Sequence, residues 1–170
     1  MTLSRERFID DTFVLCGTDK GALGHGYAPI YAKIQPEITS MLEVGVYRGG
    51  SLRAWLEIFP QAEIYGIDIN PLVWPKMEVH PRIHFTQADI REFNADSLPQ
   101  FDLIIDDGSH KLEDMVAAFD KLKSHLKPGG TYVIEDVMEA SMLDSFPGCE
   151  MVERDVKQML DDRVIVWRAK

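Results

Sequence analysis

Short apolar runs alternate with helical patterns along most of this chain. Five runs rich in β-branched residues are bounded by Gly, Pro, Asp or Asn and have the length of buried strands. They are Ser40–Val46, Glu63–Ile69, Arg82–Gln87, Phe101–Asp106 and Thr131–Val137. Helical spacing of apolar residues fills two of the gaps, at Ser51–Phe59 and Leu112–Leu126. Strand and helix in alternation give a parallel sheet with helices on its faces. The pattern therefore predicts a doubly wound α/β fold with five parallel strands.

The two ends of the chain depart from this alternation. Glu150–Asp155 and Arg163–Arg168 are both strand-like, which predicts an antiparallel C-terminal hairpin at the sheet edge. The first 39 residues predict two short helices, separated by the polar, glycine-containing loop Cys16–Gly26. Within the core, Ser51 follows two glycines and is a typical helix-capping residue. Lys127–Gly130 is predicted to terminate the preceding helix.

Length and charge narrow the class of protein. The 170 residues suit a single domain, residues 1–170, with N-terminal helices over 1–39, a core over 40–137 and edge strands over 138–170. Acidic residues outnumber basic ones 28 to 18, and this net charge of -10 argues against a nucleic-acid partner. Cys16 and Cys149 form no disulfide framework, and no apolar run has the length of a membrane span. We expect a cytoplasmic protein without a membrane partner.

A glycine-containing turn follows the first predicted strand. Glycine lets the backbone turn tightly and approach a ligand, and the next helix offers free N–H groups. The spacing Glu43-x-Gly45-x-x-x-Gly49 differs from the G-x-G-x-x-G of pyrophosphate binders. An acid two residues before the first glycine suits a ligand with an amino group. The alternative is an ordinary tight β–α turn.

Two further acids lie at the ends of the next strands. Asp68 closes the second strand, about 20 residues past the glycine turn, where an acid can accept both ribose hydroxyls. Asp89 follows the third strand, where it could accept from an adenine amine. Either acid alone could be a helix cap or a solvated loop residue. Ligands of open α/β sheets bind at this carboxyl edge, so the coincidence favours a nucleoside-containing ligand.

These motifs resemble those of class I S-adenosylmethionine-dependent methyltransferases, which have a Rossmann-like fold. Glu43–Gly49 is similar to their first motif, Tyr65–Asp68 to their ribose-binding acid, and Leu126–Gly130 to the motif before their fifth strand. The resemblance implies S-adenosylmethionine as cofactor. The expected cofactor-binding residues of the core are Glu43, Gly45, Tyr47, Gly49, Ser51, Asp68, Asp89, Ile90 and Asp106.

A narrower resemblance covers more of the chain. Gly17–Gly21 with His25–Tyr27, then Ile105–His110, then Ile134–Asp136, are similar to the sugar O-methyltransferases of macrolide antibiotic biosynthesis. That family implies Mg²⁺ or another hard divalent cation, held by Asp107, Glu135 and Asp136, with His110 as the base. It also implies a loop over the cofactor that places Thr18, Lys20 and Tyr27 near the methionine end, with Lys20 facing the cofactor carboxylate. The alternative for this loop is a simple connector between helices.

The residues themselves are consistent with a metal-assisted reaction. Asp107, Glu135 and Asp136 follow or close neighbouring parallel strands, where a hard dication would relieve their mutual repulsion. His110 could take a proton from a hydroxyl as it attacks the methyl group, so Asp107 and His110 are the expected catalytic residues. The alternatives are a helix-capping role for Asp106 and Asp107 with His110 as a solvated first-turn residue, and a loop-closing role for the other two acids.

The acceptor is expected to be a small molecule with a hydroxyl group. The family carries a large N-terminal region and insertions after strand five, whereas here about 40 residues precede the first strand and Met138–Gly148 is short. We therefore expect minimal substrate walls and an acceptor such as a sugar, a polyketide or another vicinal diol, with a homo-oligomer as one way to complete the pocket. The competing classes are a metal-independent methyltransferase, a nicotinamide-dependent oxidoreductase and a non-catalytic methyltransferase-like scaffold.

Overall fold

A seven-stranded sheet organises the computed structural model, which describes residues 3–70, 80–153, 161 and 163–170. The strands lie in the order β3-β2-β1-β4-β5-β7-β6. They are β1 Ser40–Val44, β2 Glu63–Asp68, β3 Ile83–Gln87, β4 Phe101–Asp106, β5 Leu126–Val137, β6 Glu150–Val152 and β7 Arg163–Arg168. The helices are α1 Arg5–Cys16, α2 Ala28–Tyr31, α3 Gly50–Ile58 and α4 Leu112–Leu122.

Strands β1 to β5 are parallel, and the last two strands run against them. β7 pairs antiparallel with both β5 and β6, so the predicted C-terminal antiparallel strands are confirmed. Arg154 and Asp155, which the sequence assigned to the first of them, lie outside the described residues. The strand order reverses between β1 and β4, the position at which open α/β sheets bind their ligands.

Helices pack on both faces of the sheet, as the doubly wound prediction requires. Alternate residues of a strand point to opposite faces, so Met41 joins a buried cluster with Phe13 of α1 and Trp55 of α3. Its neighbour Leu42 joins the opposite cluster, which contains Phe119 of α4. Among the described residues, no helix is long and apolar enough to cross a membrane.

The boundary between α4 and β5 differs from the prediction. The helix ends at Leu122, a 3-10 turn covers Lys123–His125, and β5 already begins at Leu126. The predicted terminator Lys127–Gly130 therefore belongs to the strand, where the register against β4 shifts. Backbone bonds explain the extension, because Gly129 N donates to Ala169 O at 3.1 Å and Ala169 N donates to Gly130 O at 3.0 Å.

The start of α3 also corrects the prediction. Gly49, at φ 76°, occupies the N-cap position, and Ser51 lies within the helix. The Ser51 hydroxyl donates to Glu43 Oε2 at 2.8 Å instead of capping the helix. β1 ends at Val44, two residues before the predicted end, because Gly45 takes a left-handed conformation with φ 83°.

Candidate active site

A cavity of about 730 Å³ opens at the carboxyl ends of β1, β2 and β4. Its volume lies in the range of small-molecule and cofactor sites, roughly 300–1,000 Å³. Of the residues predicted from the sequence, it is lined by Thr18, Gly45, Tyr47, Ser51, Asp68, Asp89, Ile90, Asp106, Asp107, His110 and Asp136. The other predicted residues are not among its lining residues, and these are Lys20, Tyr27, Glu43, Gly49 and Glu135.

Gly45 lets the loops after β1 and β4 approach closely at the cavity wall. A side chain added at Gly45 would place its Cβ 1.8 Å from the carbonyl oxygen of Asp107. The Asp107 amide donates to Val44 O at 2.8 Å, which fixes the same approach from the other side. The glycine thus has a packing role that also places Asp107 at the cavity.

Asp68 holds the glycine turn in place. Its Oδ2 accepts from the backbone N–H groups of Val46 at 2.8 Å and Tyr47 at 2.7 Å, and its Oδ1 accepts from Asn70 N at 2.8 Å. Tyr47 itself adopts φ 48° and leaves 71% of its surface exposed at the mouth of the cavity. Asp68 therefore links the end of β2 to the turn after β1 while it lines the cavity.

Asp89 pairs with an arginine that sequence reasoning missed. Arg91 Nη2 lies 2.6 Å from Asp89 Oδ2, and Arg91 Nε donates to Asp89 Oδ1 at 3.0 Å. The hydrogen bonds from Arg91 lower the pKa of Asp89 to about 2. Arg91 also lines the cavity. The sequence signal was the opposite charge two residues after Asp89.

Two buried acids lie on either side of the central strands. Glu43 accepts from Ser51 Oγ at 2.8 Å and from Trp55 Nε1 at 3.2 Å. Asp106 accepts from Gly108 N at 3.3 Å, while its Oδ2 is buried with no hydrogen-bond partner among the described residues. Burial raises the pKa of each carboxyl to about 7, and for Glu43 the nearby Lys20 opposes the shift. Of the two, Asp106 lines the cavity.

Asp107, His110 and Asp136 come together at one end of the cavity. Each offers an atom, and these atoms all lie within 4.8 Å of one another. His110 Nε2 is 3.3 Å from Asp107 Oδ1, and His110 Nδ1 is 3.6 Å from Asp136 Oδ2. The hydrogen bond to Asp107 raises the pKa of His110 to about 9, burial opposes it, and the charge of Asp136 adds to the rise. His110 and Asp136 have φ values of 60° and 56°, a left-handed conformation that costs about 1–2 kcal/mol per residue.

Lys20 is 1% exposed and lies beside this cluster, among carboxylates of three strands or strand ends. Its Nζ lies 2.5 Å from Asp107 Oδ2, in direct contact with Glu135 Oε2, and 3.5 Å from Glu43 Oε1. Burial alone would lower the pKa of Lys20, but the three carboxylates outweigh it and raise the pKa well above its ordinary value. For Asp107, burial alone would raise the pKa of the carboxyl group. The neighbouring Lys20 and His110 outweigh burial, so the pKa of Asp107 is lowered.

Two tyrosines attach the N-terminal segment to the same acids. Tyr27 OH donates to Asp136 Oδ1 at 2.7 Å, and Tyr31 OH donates to Glu135 Oε1 at 2.6 Å. His25 is buried, stacks on Tyr27, and has its Nδ1 3.5 Å from Asp136 Oδ1. Sequence reasoning missed the role of Tyr31. The available signal was its spacing four residues after Tyr27, which places two hydroxyl groups on one side of a helical turn.

Comparison with known families decides the class of this fold. The family model described as "Methyltransferase domain" matches residues 42–137, more than half of the chain. The chain belongs to this family of methyltransferase domains. The match runs from within β1 to the end of β5, so it contains Asp68, Asp107, His110 and Asp136. The methyltransferase match does not include the loop that carries Lys20.

The names of curated methyltransferases with similar sequences describe the methylation of sugar-bearing natural products. The chain is 34% identical over 149 residues to the 8-demethyl-8-alpha-L-rhamnosyl tetracenomycin-C 2'-O-methyltransferase of Streptomyces olivaceus, covering 78% of this chain and 38% of that protein. It is 35% identical over 140 residues to the mycinamicin VI 2''-O-methyltransferase of Micromonospora griseorubida, covering 72% of this chain and 34% of that protein. The chain therefore spans little more than a third of the length of these relatives.

A solved methyltransferase structure has the same fold. The MycE methyltransferase of the mycinamycin biosynthetic pathway, in complex with Mg and SAH, superposes with a TM-score of 0.71 at 25% sequence identity. The alignment covers 98% of this chain and 56% of that protein. Nearly the whole chain, including the N-terminal loop and the antiparallel strands, thus has a counterpart in a methyltransferase.

Proposed function

We propose that this methyltransferase domain transfers a methyl group from S-adenosylmethionine to a sugar hydroxyl, with Mg²⁺ or another hard divalent cation bound beside the acceptor. The juxtaposition of Asp107, His110 and Asp136 at one end of the cavity carries the proposal. Carboxylates able to hold a cation and a base able to take a proton are the two requirements of metal-assisted methylation of a hydroxyl. The names of the relatives, which are sugar O-methyltransferases, support the acceptor class.

The cavity fits the cofactor in volume and in polarity. Asp68, Asp89 and Ile90 line this cavity. In the proposed binding mode Asp68 would accept from the ribose hydroxyls, Asp89 would accept from the adenine amine, and Ile90 would pack against the adenine ring. The unsatisfied Oδ2 of Asp106 is a specific sign of fit, since a buried oxygen without a donor is costly. A ligand ammonium group at that position would satisfy it. Gly49 and Glu43 would act from behind the cavity wall by shaping the turn.

The acidic cluster fits a hard cation. Its donors are two carboxylates and one imidazole, and oxygen-rich sites favour Mg²⁺ or Mn²⁺ over softer ions. Asp107, Asp136 and the neighbouring Glu135 would hold the ion, and in this structure the two oxygens of Glu135 contact Lys20 and Tyr31. When bound, the cation would lower the pKa of an acceptor hydroxyl, and S-adenosylmethionine would supply the methyl group.

His110 is the proposed proton acceptor. In the surroundings described, Asp107 and Asp136 hold its imidazole in the cationic form, with the pKa raised to about 9. Neutralising those two carboxylates would bring the pKa back towards the range in which the imidazole accepts a proton. Asp107 would keep the ring oriented through its contact with Nε2.

Calorimetry with S-adenosylmethionine is the direct test. The cofactor is titrated into the full chain, first with Mg²⁺ and then with chelator, and NAD serves as the control ligand. We expect micromolar binding of S-adenosylmethionine and none of NAD. Absence of S-adenosylmethionine binding under both conditions would support a non-catalytic scaffold instead.

Transfer of labelled methyl to small sugars tests the acceptor class. A rhamnoside with neighbouring hydroxyls is compared with a deoxysugar that lacks the vicinal pair. We expect transfer to the vicinal diol alone, with loss of transfer on chelation and in Asp107→Ala. Activity that persists in Asp107→Ala would favour a metal-independent methyltransferase.

A further inference from the structure

The ammonium group of Lys121 is bonded to the backbone of the loop that follows β3. Lys121 lies in the last turn of α4, and its Nζ donates to the carbonyl oxygens of Ile90 at 2.7 Å, Arg91 at 2.8 Å and Phe93 at 2.9 Å. An ammonium group has three N–H donors, so these three carbonyl oxygens use all of them. One side chain of α4 thus fixes a turn that lies 28 to 31 positions earlier in the chain.

The carbonyl groups of this loop need an outside donor because of the path of its backbone. The loop closes one helical turn on the carbonyl oxygen of Asp89 and then leaves the helical path. In a continuing helix, the N–H groups four residues later would bond to Ile90 and Arg91. Asn94 instead has φ -81° and ψ 110° and begins the 3-10 turn Ala95–Ser97. Lys121 therefore supplies the donors that a longer helix would have supplied.

The loop held by Lys121 forms the adenine end of the proposed cofactor site. Asp89 and Ile90 line the cavity. In the proposed binding mode Asp89 would accept from the adenine amine, and Ile90 would pack against the adenine ring. Lys121 is not among the residues that line the cavity, so its effect on a bound cofactor would pass through this loop.

Helix α4 contacts the same loop at a second, more exposed position. Arg91 Nη1 lies 3.6 Å from Asp114 Oδ1, and Arg91 Nη2 lies 2.6 Å from Asp89 Oδ2. Asp114 and Lys121 are two helical turns apart and therefore share one face of α4. The Arg91 side chain is 57% exposed, and exposed ion pairs contribute little. Lys121 is half-buried and makes three charge-assisted hydrogen bonds, so it is the contact that holds the loop.

We propose that Lys121 is a positioning residue for the cofactor: its ammonium group fixes the loop after β3 so that the Asp89 carboxylate faces the adenine amine. The proposal rests on the proposed function for the identity of the ligand. It gives α4 a part in cofactor recognition in addition to its packing against the sheet.

Two ligands that differ at the adenine amine test this role. S-adenosylhomocysteine carries the amine, whereas S-inosylhomocysteine has a carbonyl oxygen in its place, which the Asp89 carboxylate would repel. By calorimetry we expect wild type to bind the adenosyl ligand more tightly by on the order of thirtyfold. Lys121→Met should weaken the adenosyl ligand by on the order of tenfold and change the inosyl ligand little, so that discrimination falls to about threefold.

Three further variants make the result specific to the loop. Lys121→Arg keeps a cation with several N–H donors, so its discrimination should return to within about threefold of wild type. Asp89→Ala should lose discrimination, and adding Lys121→Met to it should cause no further loss. Lys123→Met is the matched control, because Lys123 pairs with the exposed Asp120 and its side chain is 41% exposed. Both affinities should stay within about twofold of wild type in this control.

The ratio of the two affinities separates positioning from a merely structural role. Equal weakening of both ligands in Lys121→Met, or no weakening of either, would overturn the proposal. If Lys121→Met does not fold, Lys121→Gln takes its place, because it keeps N–H donors at a shorter reach and should show a graded loss of discrimination. A wild type that binds both ligands equally would overturn this proposal alone, whereas a wild type that binds neither would overturn the proposed function as well.

Discussion

Asp107 shows how one residue can serve the backbone and the chemistry together. Its carbonyl oxygen occupies the space that a side chain at Gly45 would need, and its carboxylate faces Lys20 on one side and His110 on the other. Any change at Gly45 would therefore move a proposed metal ligand. The glycine of the first methyltransferase motif is required here by a neighbouring loop.

Substitution of Gly45 by alanine should measure this packing requirement. Gly129 is a matched control, because its φ of 78° is close to the 83° of Gly45 but an added Cβ would meet nothing within 4 Å. Gly129→Ala should cost about 1–2 kcal/mol for the left-handed conformation alone. Gly45→Ala should cost about 2 kcal/mol more, since the Asp107 loop must shift. Urea denaturation gives both free energies of unfolding, and equal losses would show that the loop accommodates the methyl group without cost.

Asp68 is the residue whose loss should most directly weaken cofactor binding. Asp68→Ala removes the proposed acceptor of the ribose hydroxyls and the acceptor of two backbone N–H groups in the glycine turn. We expect S-adenosylmethionine binding to weaken by on the order of 1–3 kcal/mol, measured by calorimetry. Asp96→Ala, an exposed acid away from the cavity lining, is the control. Unchanged affinity in Asp68→Ala would remove Asp68 from the ribose site.

Single residues were predicted unevenly from the sequence, for a physical reason. Acids at strand ends could be anticipated, because parallel strands bring their carboxyl ends to one edge and nothing else about the chain is needed. The carboxylate partners of Lys20 could not be anticipated, because these contacts depend on how a loop folds back over the sheet. The family resemblance predicts Lys20 near the cofactor, and this stays a prediction. The contacts of Lys20 with Glu43, Asp107 and Glu135 are an additional finding of the structure.

At the scale of elements, one carboxylate joins the starts of three adjacent strands. Asp102 Oδ2 of β4 accepts from Thr39 N at 2.8 Å and Ser40 N at 3.0 Å, at the entry to β1. It also accepts from Lys127 Nζ of β5 at 2.9 Å. This edge of the sheet lies opposite the cavity, so its contacts contribute to stability and leave the site free. Burial alone would raise the pKa of Asp102, and these hydrogen bonds reverse that shift and lower it.

Asp102→Asn should therefore change the pH dependence of stability. A carboxyl group with a pKa lower in the folded state stabilises the fold above its unfolded pKa, about 3.9, and that contribution is lost as the pH falls through the folded value. We expect the free energy of unfolding of the wild type to exceed that of the variant by on the order of 1–2 kcal/mol at pH 7, and the difference to shrink as the pH falls below about 3.9. Urea denaturation from pH 3 to pH 7 measures it. Asp120→Asn, at a side chain 62% exposed, is the control and should show little difference at any pH. A constant difference for Asp102→Asn across the range would exclude the ionised form as its cause.

The elements themselves were mostly predictable, and their boundaries less so. Periodicity identified the five parallel strands, the two final strands and the two long core helices, because each period reflects which face is buried. It failed at Lys127–Gly130, where glycine and proline indicate a break but pairing with Ala169 keeps the segment in β5. Such pairing is a tertiary contact, and local sequence does not encode it.

At the scale of the whole molecule, the methyltransferase core and the N-terminal segment form one charged framework. The core supplies the carboxylates, and the segment before it supplies the groups that contact them, Lys20, Tyr27 and Tyr31. All three residues of the acidic cluster line the cavity, yet the residues proposed to bind the cofactor differ from those proposed to bind the cation. Binding of one ligand should thus be separable from binding of the other.

Thermal stability provides the measurement, because any ligand that binds the folded chain alone stabilises it in proportion to its occupancy. At 100 times its dissociation constant, each ligand should add about 2.7 kcal/mol, which raises Tm by roughly 5–10 °C in a chain of this size. Asp136→Asn keeps an acceptor for Tyr27 but loses the charge, so it should abolish the rise caused by Mg²⁺ and retain the rise caused by S-adenosylmethionine. Asp68→Ala should show the reverse pattern, since Asp68 does not belong to the metal-binding cluster. A variant in which both rises disappear together would mean that the two ligands bind as a single unit, and an undiminished Mg²⁺ effect in Asp136→Asn would place the cation elsewhere.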